Sequence, residues 1–99
     1  MTYYAGLNDN NAVHEWELFA GQLKKDKLEW YEYWQTLDMR ESFENGERTL
    51  TEKQWEIVKK TDEIVRAKLL NVLIEFERVQ EYRDLGEQRP KKYWWWHLE

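Results

Sequence analysis

The residues best placed by type and spacing to do chemistry are two pairs of carboxylates. Glu29 and Glu32 are three positions apart, and so are Glu81 and Asp84, so each pair shares one face wherever the chain is helical. Carboxylate pairs on neighbouring helices can bind Mg²⁺, which bridges phosphate oxygens and activates water for nucleotide pyrophosphate hydrolysis. One hypothesis for the function is therefore a magnesium-dependent, all-helical nucleotide pyrophosphohydrolase.

Other catalytic or metal-binding groups are sparse. His14 and Glu17 lie one turn apart, but in the reverse of the Glu-x-x-His order that di-iron helical bundles use. Ser42 is the only serine, there is no cysteine, and His97 stands apart among tryptophans. The glycines are scattered singly, so no glycine-rich phosphate loop is present. We therefore expect no metal, no cofactor and a non-catalytic function.

The C-terminal residues, from Arg89 to His97, hold three of the seven tryptophans. Tryptophan and tyrosine dominate the hot spots of protein interfaces, so this segment is the predicted contact with another protein of unknown identity. The predicted partner-binding residues are Lys91, Lys92, Tyr93, Trp94, Trp95, Trp96 and His97. The alternative is that the aromatic residues fold back over Leu70, Leu73 and Ile74 and belong to the core.

The charge distribution argues against nucleic acid as a partner. The net charge is −5, and residues 1–50 alone account for −5. An acidic surface repels a phosphate backbone, so a basic protein is the easier partner. Lys91 and Lys92 before four aromatic residues also have the composition of a bilayer-interface segment, which leaves peripheral membrane binding as an alternative. Without a membrane-spanning run, a signal peptide or cysteines, the chain is expected to be soluble and cytoplasmic.

Two long helices must position these groups, and the second has both ends marked. Thr51 and Gln54 fit a capping box, and Gly86 is the predicted left-handed stop. Valines recur every seven residues between them, with Trp55, Leu69 and Phe76 interleaved. This pattern predicts a helix over about 52–85.

The first helix is predicted over about 12–44, after a polar lead-in at 1–11. Trp16, Leu23, Trp30 and Leu37 recur at sevens along its seam, and Asn45-Gly46 supplies the turn. The pattern is weakest around Gly21 and the lysine-rich residues 24–27, where a bend or break is possible. We still favour one continuous helix.

The predicted fold is all-α: a long antiparallel hairpin over 12–86, about 50 Å tall, followed by an aromatic segment over 87–99. This register places Trp16 beside Val79 and separates the two carboxylate pairs by roughly 20 Å or more. The run from 69 to 74 is apolar almost all round, so a second copy is expected to cover it in a four-helix bundle. The predicted homodimer interface is Leu69, Leu70, Leu73 and Ile74. Leu98-Glu99 is consistent with a tag-derived end.

Overall fold

A computed structural model describes residues 7–23 and 29–99, and within these ranges the chain is helical with no strand. The four helices are α1 (Asp9–Gln22), α2 (Trp30–Glu44), α3 (Glu52–Glu75) and α4 (Val79–Gly86), and Trp94–Trp96 form a 3₁₀ turn. The prediction of an all-α fold is confirmed. The lysine-rich residues 24–27 and most of the predicted polar lead-in lie outside the described residues.

The single helix predicted over 12–44 is wrong in its middle. α1 ends at Gln22, and Glu29 takes an extended conformation (φ −95°, ψ 94°) before α2 begins. The two helices fold back on each other, so that the ring centroids of Phe19 and Tyr33 lie 5.0 Å apart. In a straight helix these residues would be about 20 Å apart. Burial of the aromatic residues against each other therefore favours the break.

The start of α3 is as predicted. Thr51 and Gln54 form the capping box: the Thr51 amide donates to the Gln54 side chain (2.8 Å), and the Gln54 amide donates to the Thr51 hydroxyl (3.2 Å). These two bonds satisfy amides that the first turn of a helix otherwise leaves without partners. The sequence motif thus defines this helix end correctly.

The end of the second helix is wrong in the prediction. α3 stops at Glu75, and Glu77 takes a left-handed conformation (φ 59°). The Glu77 amide donates to the Ile74 carbonyl (3.1 Å) and the Arg78 amide to the Leu73 carbonyl (2.8 Å), which is the bond pattern of a Schellman motif. Gly86 is instead the last residue of α4 and has no positive φ.

The first three helices run up, down and up. α1 lies parallel to α3, because Gln54 Nε2 donates to Asn10 Oδ1 (2.6 Å) and Trp16 Nε1 donates to Asp62 Oδ1 (2.9 Å). The predicted contact of Trp16 with Val79 is therefore wrong. α2 is antiparallel to both, and its Arg40 meets the same Asp62. The chain therefore packs α1, α2 and α3 side by side and does not form the predicted long single hairpin.

The breaks shorten the molecule and enlarge its core. Its longest dimension is 36 Å, compared with about 50 Å for the predicted hairpin. Several large side chains, drawn from every part of the chain, are fully buried: Trp16, Leu37, Leu69, Tyr82, Trp95 and Trp96. Folding back three times lets a chain of 99 residues bury aromatic groups that two long helices would leave half exposed.

A buried ion pair lies at the centre of this core. Arg40, with 2% of its surface exposed, makes two hydrogen bonds to the Asp62 carboxylate, at 2.9 and 3.0 Å. The same carboxylate accepts the Trp16 indole bond, so it joins α1, α2 and α3. The guanidinium lies 4.5 Å from the ring centroid of Trp95, which adds the C-terminal segment to the cluster.

Candidate functional site

The aromatic C-terminal segment is packed into the core. The exposed fractions of Tyr93, Trp95 and Trp96 are 7%, 1% and 1%, so these three predicted partner-binding residues are not accessible as anchors in this fold. The Tyr82 hydroxyl donates to the Trp95 carbonyl (2.8 Å) and accepts from the Leu98 amide (3.0 Å). The alternative, in which the segment closes the core, describes their placement.

Gly86, just before this segment, and Arg89, near its start, hold it in place. Gly86 leaves room for the backbone: a Cβ atom there would lie 2.5 Å from the Trp96 carbonyl oxygen. Arg89 makes three hydrogen bonds of 3.0–3.2 Å to the Asp38 carboxylate on α2 and lies 4.5 Å from the Trp96 ring centroid. The ion pair between Arg89 and Asp38 and the absence of a side chain at Gly86 therefore determine where the segment docks.

The other predicted partner-binding residues lie nearer the surface. Lys91 and Lys92 are exposed, and the Lys92 ammonium lies 5.5 Å from the Tyr93 ring centroid. Trp94 is half-buried beneath Arg66, whose guanidinium lies 4.3 Å from its ring. His97 is half-buried, and its Nε2 lies 3.1–3.2 Å from the carbonyl oxygens of residues 89 and 90. Within this set, only Lys91 and Lys92 are exposed.

The four residues of the predicted dimer interface are divided by the fold. Leu69 and Leu73 are fully buried within the single chain. Leu70 is half-buried, and Ile74 exposes 57% of its surface. A second copy of the chain could therefore contact Leu70 and Ile74, whereas Leu69 and Leu73 are already covered.

The largest change from the prediction is the position of α4 beside the start of α2. The helix break at Glu77 brings Glu81 and Asp84 to the same concavity as Trp30 and Trp34, so the predicted register, which placed residues 81–84 far from the start of α2, is wrong. This concavity, here called the α2/α4 groove, has a volume of about 410 Å³. Its lining residues are Trp30, Trp34, Glu81, Asp84, Leu85 and Arg89.

The groove combines apolar rings with accessible carboxylates. Trp30, Trp34 and Leu85 are half-buried, so each presents part of its surface. Asp84 accepts a hydrogen bond from Gln80 Nε2 (2.8 Å), and Glu81 lies 3.7 Å from the Arg78 guanidinium in a pair in which both side chains are more than 40% exposed. The α4 edge of the groove therefore carries two carboxylates, and each of them interacts only weakly with its present partner.

The carboxylate pairs do not assemble into a metal site. Within the described ranges, no three histidine, cysteine, aspartate or glutamate side chains come together in a way that suits a metal ion. Glu29 and Glu32 therefore do not complete a ligand set with Glu81 and Asp84, although α4 lies close to α2. His14 and Glu17 face solvent, 4.0 Å apart. The geometry supplies no support for the hydrolase hypothesis.

A second concavity, of about 670 Å³, lies on the other side of Arg89 and contains Asp38, Glu41, Ser42 and Arg48. Burial raises the pKa of Asp38, and Arg89 opposes this through hydrogen bonds and charge. Burial and then the neighbouring Asp38 raise the pKa of Glu41. The Ser42 hydroxyl donates to the Met39 carbonyl (2.6 Å) and accepts from Arg48 Nε (3.0 Å), so it is held in place without a general base.

Sequence reasoning missed the groove because it assigned Trp30 to the seam of the predicted hairpin and gave Trp34 no role in a site. Their i, i+4 spacing is a signal for a shared aromatic face, but the same spacing serves a core equally well. Leu85 and Asp84 were placed at the far end of a long helix. The helix break at Glu77 is what brings these residues together. Glutamate is not a typical residue for a left-handed helix end, so the sequence gives no signal for this break.

Comparison of the chain with protein-family models, with curated proteins and with solved structures gives no significant match. In the described part of the chain, none of the helices has the length and apolar character that crossing a bilayer requires.

Proposed function

We propose that this protein is a non-catalytic protein-protein interaction module, an adaptor, regulator or assembly factor, and that it binds a segment of another protein in the α2/α4 groove. The observation that carries the proposal is the half-buried pair Trp30 and Trp34 in a concave surface with Leu85. The proposed site thus moves from the C-terminal tryptophans to the groove, because Trp95 and Trp96 are core residues.

The physical support is the kind of surface that the groove offers. Its volume of about 410 Å³ is large enough to receive a side chain of a ligand, and the groove is open to solvent, so a partner would lie across it without being enclosed. Tryptophan contributes a large rigid area at a small cost in side-chain entropy, which makes it the commonest anchor of interfaces. Both rings are half-buried and pack against the core, which restricts their movement before a partner arrives.

The experiment is selection of binding peptides from a random library on the immobilised protein, followed by fluorine NMR of protein labelled with fluorotryptophan. Each of the seven tryptophans gives a resonance, and Trp30→Phe and Trp34→Phe assign the two in the groove. Selected peptides are expected to shift these two resonances. Binding should weaken about tenfold or more in Trp34→Ala.

The matched control is Ile64→Ala, which removes an exposed apolar side chain, 42% accessible, from α3 and outside both the groove and the proposed dimer face. It should leave peptide binding unchanged, and circular dichroism establishes that both variants keep their helices. Failure of the library to yield any peptide that shifts the Trp30 and Trp34 resonances would overturn the proposal.

The homodimer is a separate part of the proposal, supported by the exposed Ile74 beside the half-buried Leu70. One chain has a mass of 12.4 kDa, so light scattering across a range of concentrations distinguishes it from a pair. If the pair forms through this face, Ile74→Glu should return it to the single-chain mass, because a charge there would lose its water. A single-chain mass at high concentration would exclude the dimer.

A further inference from the structure

We propose that the ligand recognised in the α2/α4 groove is an arginine side chain in a basic segment of the partner, stacked on Trp30 or Trp34 and paired with Glu81 or Asp84. This inference rests on the proposed function and names the chemistry that its groove selects.

The protein uses one arrangement for three of its arginines. In each, a guanidinium lies 4.3–4.5 Å from the centroid of an indole ring and also meets a carboxylate within 2.9–3.2 Å. The sets are Arg40 with Trp95 and Asp62, Arg66 with Trp94 and Glu63, and Arg89 with Trp96 and Asp38. A flat cation is stabilised by the ring face and by a carboxylate in its plane at the same time.

The groove contains the same two components without the cation. Trp30 and Trp34 supply indole rings, and Glu81 and Asp84 supply carboxylates along the opposite helix. In the parts of the chain that the structure describes, no lysine or arginine lies over either of these two rings. An incoming guanidinium would therefore complete an arrangement that the chain forms elsewhere with its own residues.

Arg89 lines the groove but does not neutralise it. Its guanidinium is bound by both oxygens of Asp38 and stacked on Trp96, so its charge is balanced on the side of α2 and the C-terminal segment. It therefore contributes part of the wall, and the charges of Glu81 and Asp84 remain for a ligand.

The present partners of the two carboxylates are weak competitors. Asp84 is bound by the neutral amide of Gln80. Glu81 faces Arg78 at 3.7 Å, and an exposed ion pair of this kind contributes little, because water competes for both charges. A ligand cation that also stacks on an indole ring gains contact that Arg78 does not have, so exchange is favourable.

The chemistry favours arginine over lysine. A guanidinium is planar and can stack on a ring while its fork of N–H groups meets a carboxylate, whereas an ammonium is compact and more strongly hydrated. Neutral citrulline keeps the shape and loses the charge. We therefore expect affinity to decrease in the order arginine, lysine, citrulline at the same peptide position.

The test uses the peptides selected on the immobilised protein, with the critical arginine replaced in turn by lysine and by citrulline. Citrulline is expected to lower affinity about tenfold or more, and lysine by a smaller factor. The double variant Glu81→Gln/Asp84→Asn should lower affinity for the arginine peptide to a similar extent and reduce its salt dependence. Glu56→Gln/Glu63→Gln is the matched control, since it removes two exposed carboxylates from α3.

The possible failures separate the two proposals. If the selected peptides shift Trp30 and Trp34 but contain no basic residue, or bind equally with citrulline, the protein-binding function stands and the arginine inference is overturned. If no peptide shifts the two resonances, both are overturned. Equal loss in the α3 control would show that only overall charge matters, and that result also contradicts a specific arginine site.

Discussion

At the scale of single residues, the centre of the protein is a cation enclosed by aromatic rings. Four ring centroids lie 4.5–6.0 Å from the Arg40 guanidinium, and Asp62 binds it through two oxygens. Its Nη1 atom has no hydrogen-bond partner among the described residues, and the aromatic rings around the guanidinium offset part of that loss. A buried charge of this kind depends on its partner, because the guanidinium has lost its water.

Asp62→Asn should therefore destabilise the protein by up to about 3–5 kcal/mol, since it removes the buried counter-ion of Arg40 and leaves only the 41%-exposed Glu44, 3.1 Å away. The neighbouring Glu63→Gln is the control. It removes a carboxylate that is 74% exposed and pairs with Arg66, so it should cost less than about 1 kcal/mol. Urea unfolding of the two variants measures both values. Similar costs would contradict a special role for the buried pair.

At the scale of elements, the helix ends decide the fold. The capping box at Thr51 was readable because its two side chains bond to each other's backbone within one turn. The end of α3 was not readable, since Glu77 has a side chain that usually avoids a positive φ. Tertiary contacts of the turn and of α4 evidently outweigh this local cost.

Glu77→Gly should raise the free energy of unfolding by about 0.5–1 kcal/mol, because glycine adopts φ near 59° without the Cβ penalty. Its own greater freedom in the unfolded chain limits the gain. Thermal and urea unfolding measure the change. Glu75→Gly is the control, since it places glycine in the last turn of α3, and it should lower stability. A loss of stability in Glu77→Gly would argue that the left-handed turn is not formed.

At the scale of the whole molecule, the C-terminal segment is the last part of the core. It contacts α2 through Arg40 and Trp95, α3 through Arg66 and Trp94, and α4 through stacking of Tyr82 on Trp96 (5.7 Å). One short irregular stretch thus joins three helices, which requires a close approach of its backbone to α4.

Gly86→Ala should destabilise the protein by about 1–3 kcal/mol, because its Cβ atom would meet the Trp96 carbonyl oxygen at 2.5 Å. Gly21→Ala is the matched control. Apart from the backbone of its own helix, no atom of the described residues lies within 4 Å of its Cβ position in α1, so it should be neutral or stabilise by up to about 1 kcal/mol. Chemical unfolding compares them, and equal effects would exclude close docking of the segment.

Docking of the C-terminal segment also predicts that the stability of the protein decreases at alkaline pH. Burial raises the pKa of Tyr82 from 10.0 to about 12, while the Leu98 amide and the Arg83 charge oppose this shift. Because the folded pKa lies above the unfolded value, the stabilisation is complete below about pH 10 and is lost as pH rises towards about 12. Urea unfolding across this pH range should show that the free energy of unfolding decreases less steeply with pH in Tyr82→Phe than in the unsubstituted protein. The free energy of unfolding of Tyr82→Phe should still decrease somewhat over this pH range, since burial also raises the pKa of Tyr33.

The sequence by itself determined the helical class, the start of α3 and the turn at Gly46, the glycine with a positive φ of 89°. Periodicity and capping act over one or two turns, so these features are local and readable. Tertiary structure alone decided where each long helix breaks and which tryptophans are covered. Trp30 and Trp95 look alike in sequence, but one lines a groove and the other stacks on Arg40, because the choice depends on contacts between residues far apart in the chain.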